Sequence, residues 1–193
     1  MDYPMFTADL GGVSQEHLNE LKRLMEGQET TKHESFVSPY TIVERGLAEI
    51  PKELVYEITD KLSPLRNAQY VGCSIDILRA GNRIIRHSDL SAPTKNFYNC
   101  AHRHNLHIPV YTNQQSLVFH KRSMASPDSA IKSRHLKVGN AYLFNDYVHH
   151  WVHNDGDTDR IHVLFYYEDP LWEVKQDLLQ LYKIRRDQYY EIL

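Results

Sequence analysis

From Gln69 to Tyr167 the chain is a succession of short segments in which apolar residues recur at every second position, each closed by turn residues. Val71, Cys73, Ile75 and Ile77 alternate with Gly72, Ser74 and Asp76, the pattern of a half-buried strand. Strand-like runs follow around Leu106, Ile108 and Val110, at Leu117 and Phe119, over 141–144 and 148–152, and at Ile161, Val163 and Phe165. The pieces between them, such as Ala80-Gly81-Asn82 and Asn154-Asp155-Gly156-Asp157, are rich in turn formers. Many short strands with such turns predict a sandwich or barrel and exclude alternating βαβ units.

Helices are expected to flank this β core. Ser14 can cap a helix carrying Leu18, Leu21 and Met25 at three- and four-residue spacing before Gly27. Pro51 opens a second, with Leu54, Ile58 and Leu62 on one face and Pro64 beyond its end. After Pro170, Leu171, Val174, Leu178 and Leu181 form a third stripe; Tyr40 to Gly46 has no clear period and is left unassigned. The expectation is one domain over 1–193: a helical part over about 1–66, a β core over about 69–168 and a C-terminal helix over about 170–192. At 41% hydrophobic and 24% charged residues the chain is neither disordered nor fibrous, and no stretch approaches the roughly 18 apolar residues of a membrane helix. A net charge of −3 supplies no field toward nucleic acid or an anionic membrane. The Met1-Asp2-Tyr3-Pro4 start lacks an export pattern, and Cys73 and Cys100 are too few for a disulfide scaffold, so a cytoplasmic setting is expected.

The twelve histidines outnumber the eight glycines, and ten of them lie between positions 87 and 162. His87-Ser88-Asp89 sets an imidazole and a carboxylate two residues apart, on one face of an extended strand, where they can grip one ion. A solvated strand end explains that pair equally, so a third ligand is required. It is read in His150, which shares a strand face with Val148 and Val152. Two imidazoles and one carboxylate form the facial triad of non-haem Fe(II) oxygenases, with positions open for an oxoacid and dioxygen. Arg160 follows ten residues later, across a loop whose Asn154, Asp155 and Gly156 favour a hairpin; pairing about that loop is expected to bring it beside His150. A guanidinium there suits a dicarboxylate such as 2-oxoglutarate, its oxoacid end on iron and its far carboxylate on Arg160.

Four pieces occur in order: Gly81 to Asp89 ending in His-x-Asp, Leu106-His107-Ile108-Pro109-Val110-Tyr111-Thr112-Asn113, Gly139 to Asp146, and His150-x-Val152-x-Asn154-x-Gly156 continuing to Arg160-Ile161-His162. In these pieces, over Ile75 to Tyr167, the sequence resembles the aspartyl/asparaginyl β-hydroxylase family of Fe(II)/2-oxoglutarate oxygenases, which includes bacterial proline hydroxylases. The resemblance implies iron ligation by His87, Asp89 and His150, and cosubstrate binding by Arg160 with help from His107. It departs at Asn105, where the family usually has an arginine; Arg103 shares that strand face. The combined expectation is a mainly β double-stranded β-helix, a cupin-like jelly roll with flanking N- and C-terminal helices. It would use Fe(II), 2-oxoglutarate and O2 to hydroxylate an unactivated C–H of a free or carrier-bound amino acid, or of an Asp, Asn or Pro residue in a peptide. Asp89 argues against a halogenase, which vacates the carboxylate position.

Two rivals stand beside this reading. One is a non-catalytic cupin-like protein that binds metal or ligand. The other is a zinc hydrolase using His102, His104 and His107, although Leu106 stands where that motif needs an aspartate. His149 and His153 should face away from His150, and His162 shares the Arg160 face, as a supporting or a packing residue. Cys73 is read as core filling. His120, Lys121, Arg122 and Arg134 are read as surface charges or a binding group for a substrate carboxylate. The C-terminal helix is read as core or dimer contact, which leaves a homodimer open.

Overall fold

A computed structural model describes residues 7–26, 31–34, 42–46, 50–62, 69–87, 103–121, 127–128, 131–144 and 148–168. The elements are β1 (Thr7–Gly12), α1 (Gln15–Met25), β2 (Thr31–Glu34), β3 (Ile42–Gly46), α2 (Lys52–Thr59), β4 (Gln69–Leu78), β5 (Arg83–His87), β6 (Arg103–Tyr111), β7 (Ser116–Lys121), β8 (Lys132–Arg134), β9 (Asn140–Phe144), β10 (His149–Asn154) and β11 (Arg160–Glu168). They form a seven-stranded sheet in the order β1-β9-β6-β11-β4-β3-β2 and a four-stranded sheet β5-β10-β7-β8. The paired strands are antiparallel, as the jelly-roll expectation requires.

The large sheet is covered on both faces, so its strands alternate between two interiors. On one face Ile75, Ile77, Leu106, Ile108, Val110, Val163 and Phe165 pack with Leu18 and Leu21 of α1 and with Val55 and Ile58 of α2. Ser14 caps α1 by accepting from the His17 backbone N–H at 3.2 Å, which satisfies one of the helix's unpaired donors. Cys73 is partly buried against this cluster. On the other face Leu78, Tyr142 and Phe144 meet Val118, Val152, Ile84 and Leu136 from the small-sheet side. Ser74, on the polar register of β4, is buried as well. The alternation therefore separates a helix-covered core from an inter-sheet space, not core from water.

The N-terminal part, expected to be helical, also supplies β1, β2 and β3 to the large sheet. Strands of four to six residues with mixed polarity carry little period of their own; pairing with β9 and β4 makes them. The C-terminal helix expected over about 170–192 lies outside the described residues. Among the described residues no helix is long and apolar enough to cross a membrane.

The expected hairpin between β10 and β11 is corrected. β10 belongs to the small sheet and β11 to the large one, so 155–159 is a crossover between sheets. The turn formers do bend the chain there, but the strands they join pair with β5 and β7 on one side and with β4 and β6 on the other. A second crossover, 79–82, runs beside it, with Gly81 at φ +73°, a left-handed turn that glycine adopts without strain. Asn154 joins the two crossovers. Its Nδ2 donates to the carbonyls of Leu78 (3.0 Å), Arg79 (3.2 Å) and Thr158 (2.9 Å), and its Oδ1 accepts from Asn113 Nδ2 at 2.9 Å. Gly156 passes so close to Asn113 that an added Cβ would overlap the Asn113 amide. Asn154→Ala, which strands buried carbonyls at the root of β11, should lower stability by roughly 2–3 kcal/mol in urea denaturation. A change below about 0.5 kcal/mol would contradict this account of the crossover.

Candidate functional site

The inter-sheet face of β10 carries His150, Val152 and Asn154, all buried. Opposite it, β11 turns Arg160, His162 and Leu164 inward, because Val163 and Phe165 belong to the helix-covered core. A polar lining inside an otherwise apolar sandwich costs free energy unless it has partners or a ligand.

His87 reaches the inward face through a bulge. The β5/β10 register pairs His150 with His87 and then Val152 with Ile84, three steps on β5 against two on β10. The extra residue reverses the alternation, so Ile84 packs into the inter-sheet cluster and His87 still meets His150, with ring centroids 4.2 Å apart. Both rings are oriented in the same way. His87 Nδ1 lies 2.7 Å from the Ile85 carbonyl and His150 Nδ1 lies 3.0 Å from the Val148 carbonyl. A carbonyl only accepts, so each Nδ1 directs an N–H to it and leaves Nε2 as the atom that could meet a metal ion. Burial and the neighbouring His87 hold His150 well below the ordinary imidazole range, which keeps it neutral near pH 7. Asp89 lies outside the described residues, and among those described no group of three or more metal-ligating side chains comes together.

Phe144 is the shared wall of this end. Its ring centroid lies 5.2 Å from His150, 4.8 Å from His120 and 4.6 Å from His107. His107 is buried, and its ring stands edge-on to His162 at 5.8 Å. His120, directly opposite His150 in the β7/β10 ladder, has its Nε2 3.2 Å from the Thr7 hydroxyl of β1. Burial pushes the His120 pKa down to about 4, so this ring too is neutral.

Arg160 is buried at the other end of the same face, opposite Leu78 of β4. Its Nη2 donates to His162 Nδ1 at 2.9 Å, and among the described residues no carboxylate lies within 4 Å of it. Burial pushes its pKa down to about 10, against a raising pull from Asp76. His162 is fully buried, and its Nε2 has no hydrogen-bond partner among the described residues. Burial first, and Arg160 second, hold it well below the usual imidazole range. A buried cation without a paired acid suits an anionic ligand. Two imidazoles whose Nδ1 atoms are both directed to backbone carbonyls suit a divalent metal on the Nε2 side. These residues therefore fit a metal ion and a carboxylate-bearing cosubstrate.

Several expectations change. Lys121 is buried and bound to Asp128 at 2.8 Å, and Arg134 donates to Asp9 at 3.2 Å and to the Thr7 carbonyl at 3.2 Å. His120, bonded to Thr7, and Lys121 are buried and so are not surface charges, whereas Arg134 is exposed, as the surface reading has it, and paired with Asp9; Arg122 lies outside the described residues. His153 faces outward as expected, its ring 4.8 Å from Phe119, which stacks on Trp151 at 5.4 Å. Leu106 is in the helix-covered core, so the position where a zinc hydrolase needs an aspartate is apolar. Cys100 and His102 lie outside the described residues, as do the side chains of Arg103 and His104. The Thr7–His120 contact and the β5 bulge were invisible in the sequence, whereas His162 was flagged by its place two residues after Arg160.

A profile of the family described as aspartyl/asparaginyl beta-hydroxylase matches residues 44–170. No curated protein sequence matches the chain. Among solved structures, HygX of Streptomyces hygroscopicus, with nickel, 2-oxoglutarate and hygromycin B bound, is 12% identical with a TM-score of 0.60, covering 86% of this chain and 84% of its own. A 2OG-Fe(II) oxygenase family oxidoreductase of Burkholderia pseudomallei is 11% identical with a TM-score of 0.61, covering 84% and 85%. AviO1 of Streptomyces viridochromogenes is 14% identical with a TM-score of 0.58, covering 86% and 90%. At these identities the likeness establishes the fold.

Proposed function

The chain belongs to the aspartyl/asparaginyl β-hydroxylase family, and from that premise we propose that it is a 2-oxoglutarate-dependent Fe(II) oxygenase that hydroxylates an unactivated C–H of a small molecule, with an amino acid or its carrier-bound derivative as the substrate class. The observation that carries this reading is the pair of carbonyl-oriented imidazoles, His87 and His150, in an inter-sheet space that also holds the guanidinium of Arg160, which has no carboxylate partner among the described residues. His87, His150 and Asp89 would hold Fe(II), and Arg160 would hold the far carboxylate of 2-oxoglutarate. Bound together with O2, these groups supply the oxidising chemistry, coupling decarboxylation of 2-oxoglutarate to succinate with hydroxylation of the substrate.

The chain's own residues have distinct tasks. The Ile85 and Val148 carbonyls hold the two Nδ1 atoms and orient the rings before metal arrives, so Nε2 is the atom each ring offers. Arg160 binds and orients the cosubstrate from its end of the inter-sheet face. Phe144, with His107 and His120 against its ring, walls the metal end and excludes water from it. HygX, which binds nickel and 2-oxoglutarate in a like fold, supports this cofactor pair.

The test is an anaerobic titration of the protein with Fe(II) and 2-oxoglutarate, followed by an aerobic screen of amino acids for succinate formation. A visible charge-transfer band and substrate-dependent succinate are expected. Absence of the band at millimolar cosubstrate would overturn the cofactor assignment. A band without succinate above the substrate-free level, for any amino acid or carrier-bound derivative, would overturn the substrate class.

A further inference from the structure

Buried arginines usually face an aspartate or glutamate that neutralises them. Among the described residues Arg160 faces none within 4 Å, and its hydrogen-bonding partner is an imidazole. A guanidinium has only N–H donors, so the 2.9 Å contact requires His162 Nδ1 to be the acceptor and the ring to be the neutral Nε2–H tautomer. Arg160 and His162 sit two residues apart on one face of β11, and His162 is held by complete burial and by the edge-on ring of His107. The acid that acts on Arg160 over distance is Asp76, cross-strand from His162; its Oδ1 accepts from Ser74 at 3.2 Å, and Ser74 is 2.6 Å from the Tyr166 hydroxyl.

We propose that His162 is a positioning residue for the carboxylate site: as a neutral acceptor it aims the Arg160 guanidinium without cancelling its charge, so the cation stays available to a ligand carboxylate. An acid in the same place would aim the guanidinium equally well and occupy it. The pocket's selectivity for an anionic ligand thus resides in the pairing of a cation with an uncharged partner. This inference rests on the reading of Arg160 as the cosubstrate anchor.

The isosteric pair His162→Asn and His162→Asp separates aim from charge, because the Asn Oδ1 can take the place of Nδ1 and Asp differs from Asn only in its charge. In an anaerobic Fe(II) titration read by the charge-transfer band, His162→Asn should bind 2-oxoglutarate within about threefold of the unsubstituted protein. His162→Asp should bind it at least roughly 30-fold more weakly, and His162→Leu, which offers no acceptor, roughly tenfold more weakly. Without ligand, His162→Asp should melt above His162→Asn, because an internal pair then forms with Arg160. A merely structural role would impair Asn and Asp alike and give Asp no gain in melting temperature. Equal cosubstrate affinities for Asn and Asp, or an unimpaired Leu variant, would overturn the inference. The His162→Gln and His162→Glu pair supplies the same contrast where the shorter side chains fail to fold. No band in the unsubstituted protein would overturn the cofactor reading itself; a normal band with indistinguishable variants overturns this inference alone.

Discussion

His150→Ala is expected to abolish iron binding and turnover together. His150 supplies one of two imidazoles whose rings lie 4.2 Å apart, and its Nδ1 is already committed to the Val148 carbonyl, so its one coordinating atom is Nε2. Loss of an outer hydrogen bond to a metal ligand weakens metal binding by roughly 10–100-fold, so loss of the ligand itself should exceed about 100-fold. The fold should survive, since β10 keeps its ladder on both sides through backbone bonds to β5 and β7. Metal content after anaerobic Fe(II) loading, with circular dichroism as the control, reads the result. Stoichiometric iron with normal succinate production in a folded variant would remove His150 from the site.

Arg160→Met is expected to act in opposite directions on binding and on stability. The guanidinium is buried with no carboxylate within 4 Å among the described residues, and burial has pushed its pKa down to about 10, so at neutral pH the fold carries a desolvated cation at a cost. The depressed value means that the charged form is disfavoured in the folded chain relative to the unfolded one. This penalty is present throughout the range where both are protonated, below about pH 10, and fades above it. Methionine fills a similar length without a charge. It should raise stability in the absence of ligand by roughly 1–2 kcal/mol, or about 2–8 °C in melting temperature, after the loss of the His162 hydrogen bond is offset. Affinity for 2-oxoglutarate should fall at least about 100-fold, because the counterion of the far carboxylate is gone. Thermal melts with and without 2-oxoglutarate test both halves. A variant that melts below the unsubstituted protein and is still stabilised by the cosubstrate would contradict the assignment. The pattern is that of a site held at the expense of the fold.

The parts of this site legible in the sequence were those that depend on local period. Alternation placed His150 with Val152 and set His149 and His153 on the opposite face, and β10 follows it. The same rule put Arg160 and His162 together on β11, where they are hydrogen-bonded. It misjudged β4, since Ser74 looked like the water side of a half-buried strand and is instead buried, on the strand face that Leu78 turns to the inter-sheet cluster. Period two states that a strand has two faces and is silent on what covers each.

The strand bulge and the crossover mark the other limit. His87 was placed by its spacing to Asp89, yet it reaches His150 because β5 has one residue more than β10 between their paired positions. Nothing local in Ile84-Ile85-Arg86-His87 announces this, because a bulge is a property of two strands. Asn154, Asp155 and Gly156 announced a turn, but turn chemistry is the same whether the chain doubles back in one sheet or passes to the other.

The sequence by itself determined the β-rich class, the helices of the N-terminal part and the inward registers of β10 and β11, since each follows from spacing within a few residues. Only the tertiary structure decided that Arg160 faces the His150 strand from the opposite sheet, that His87 is turned inward, and that Thr7 of the first strand reaches His120 beside the metal end. Those outcomes depend on which strands pair and in what register. These arrangements are set by contacts between residues far apart in the chain, such as His87 with His150, 63 positions on, and Thr7 with His120, 113 positions on, which no window along the chain contains.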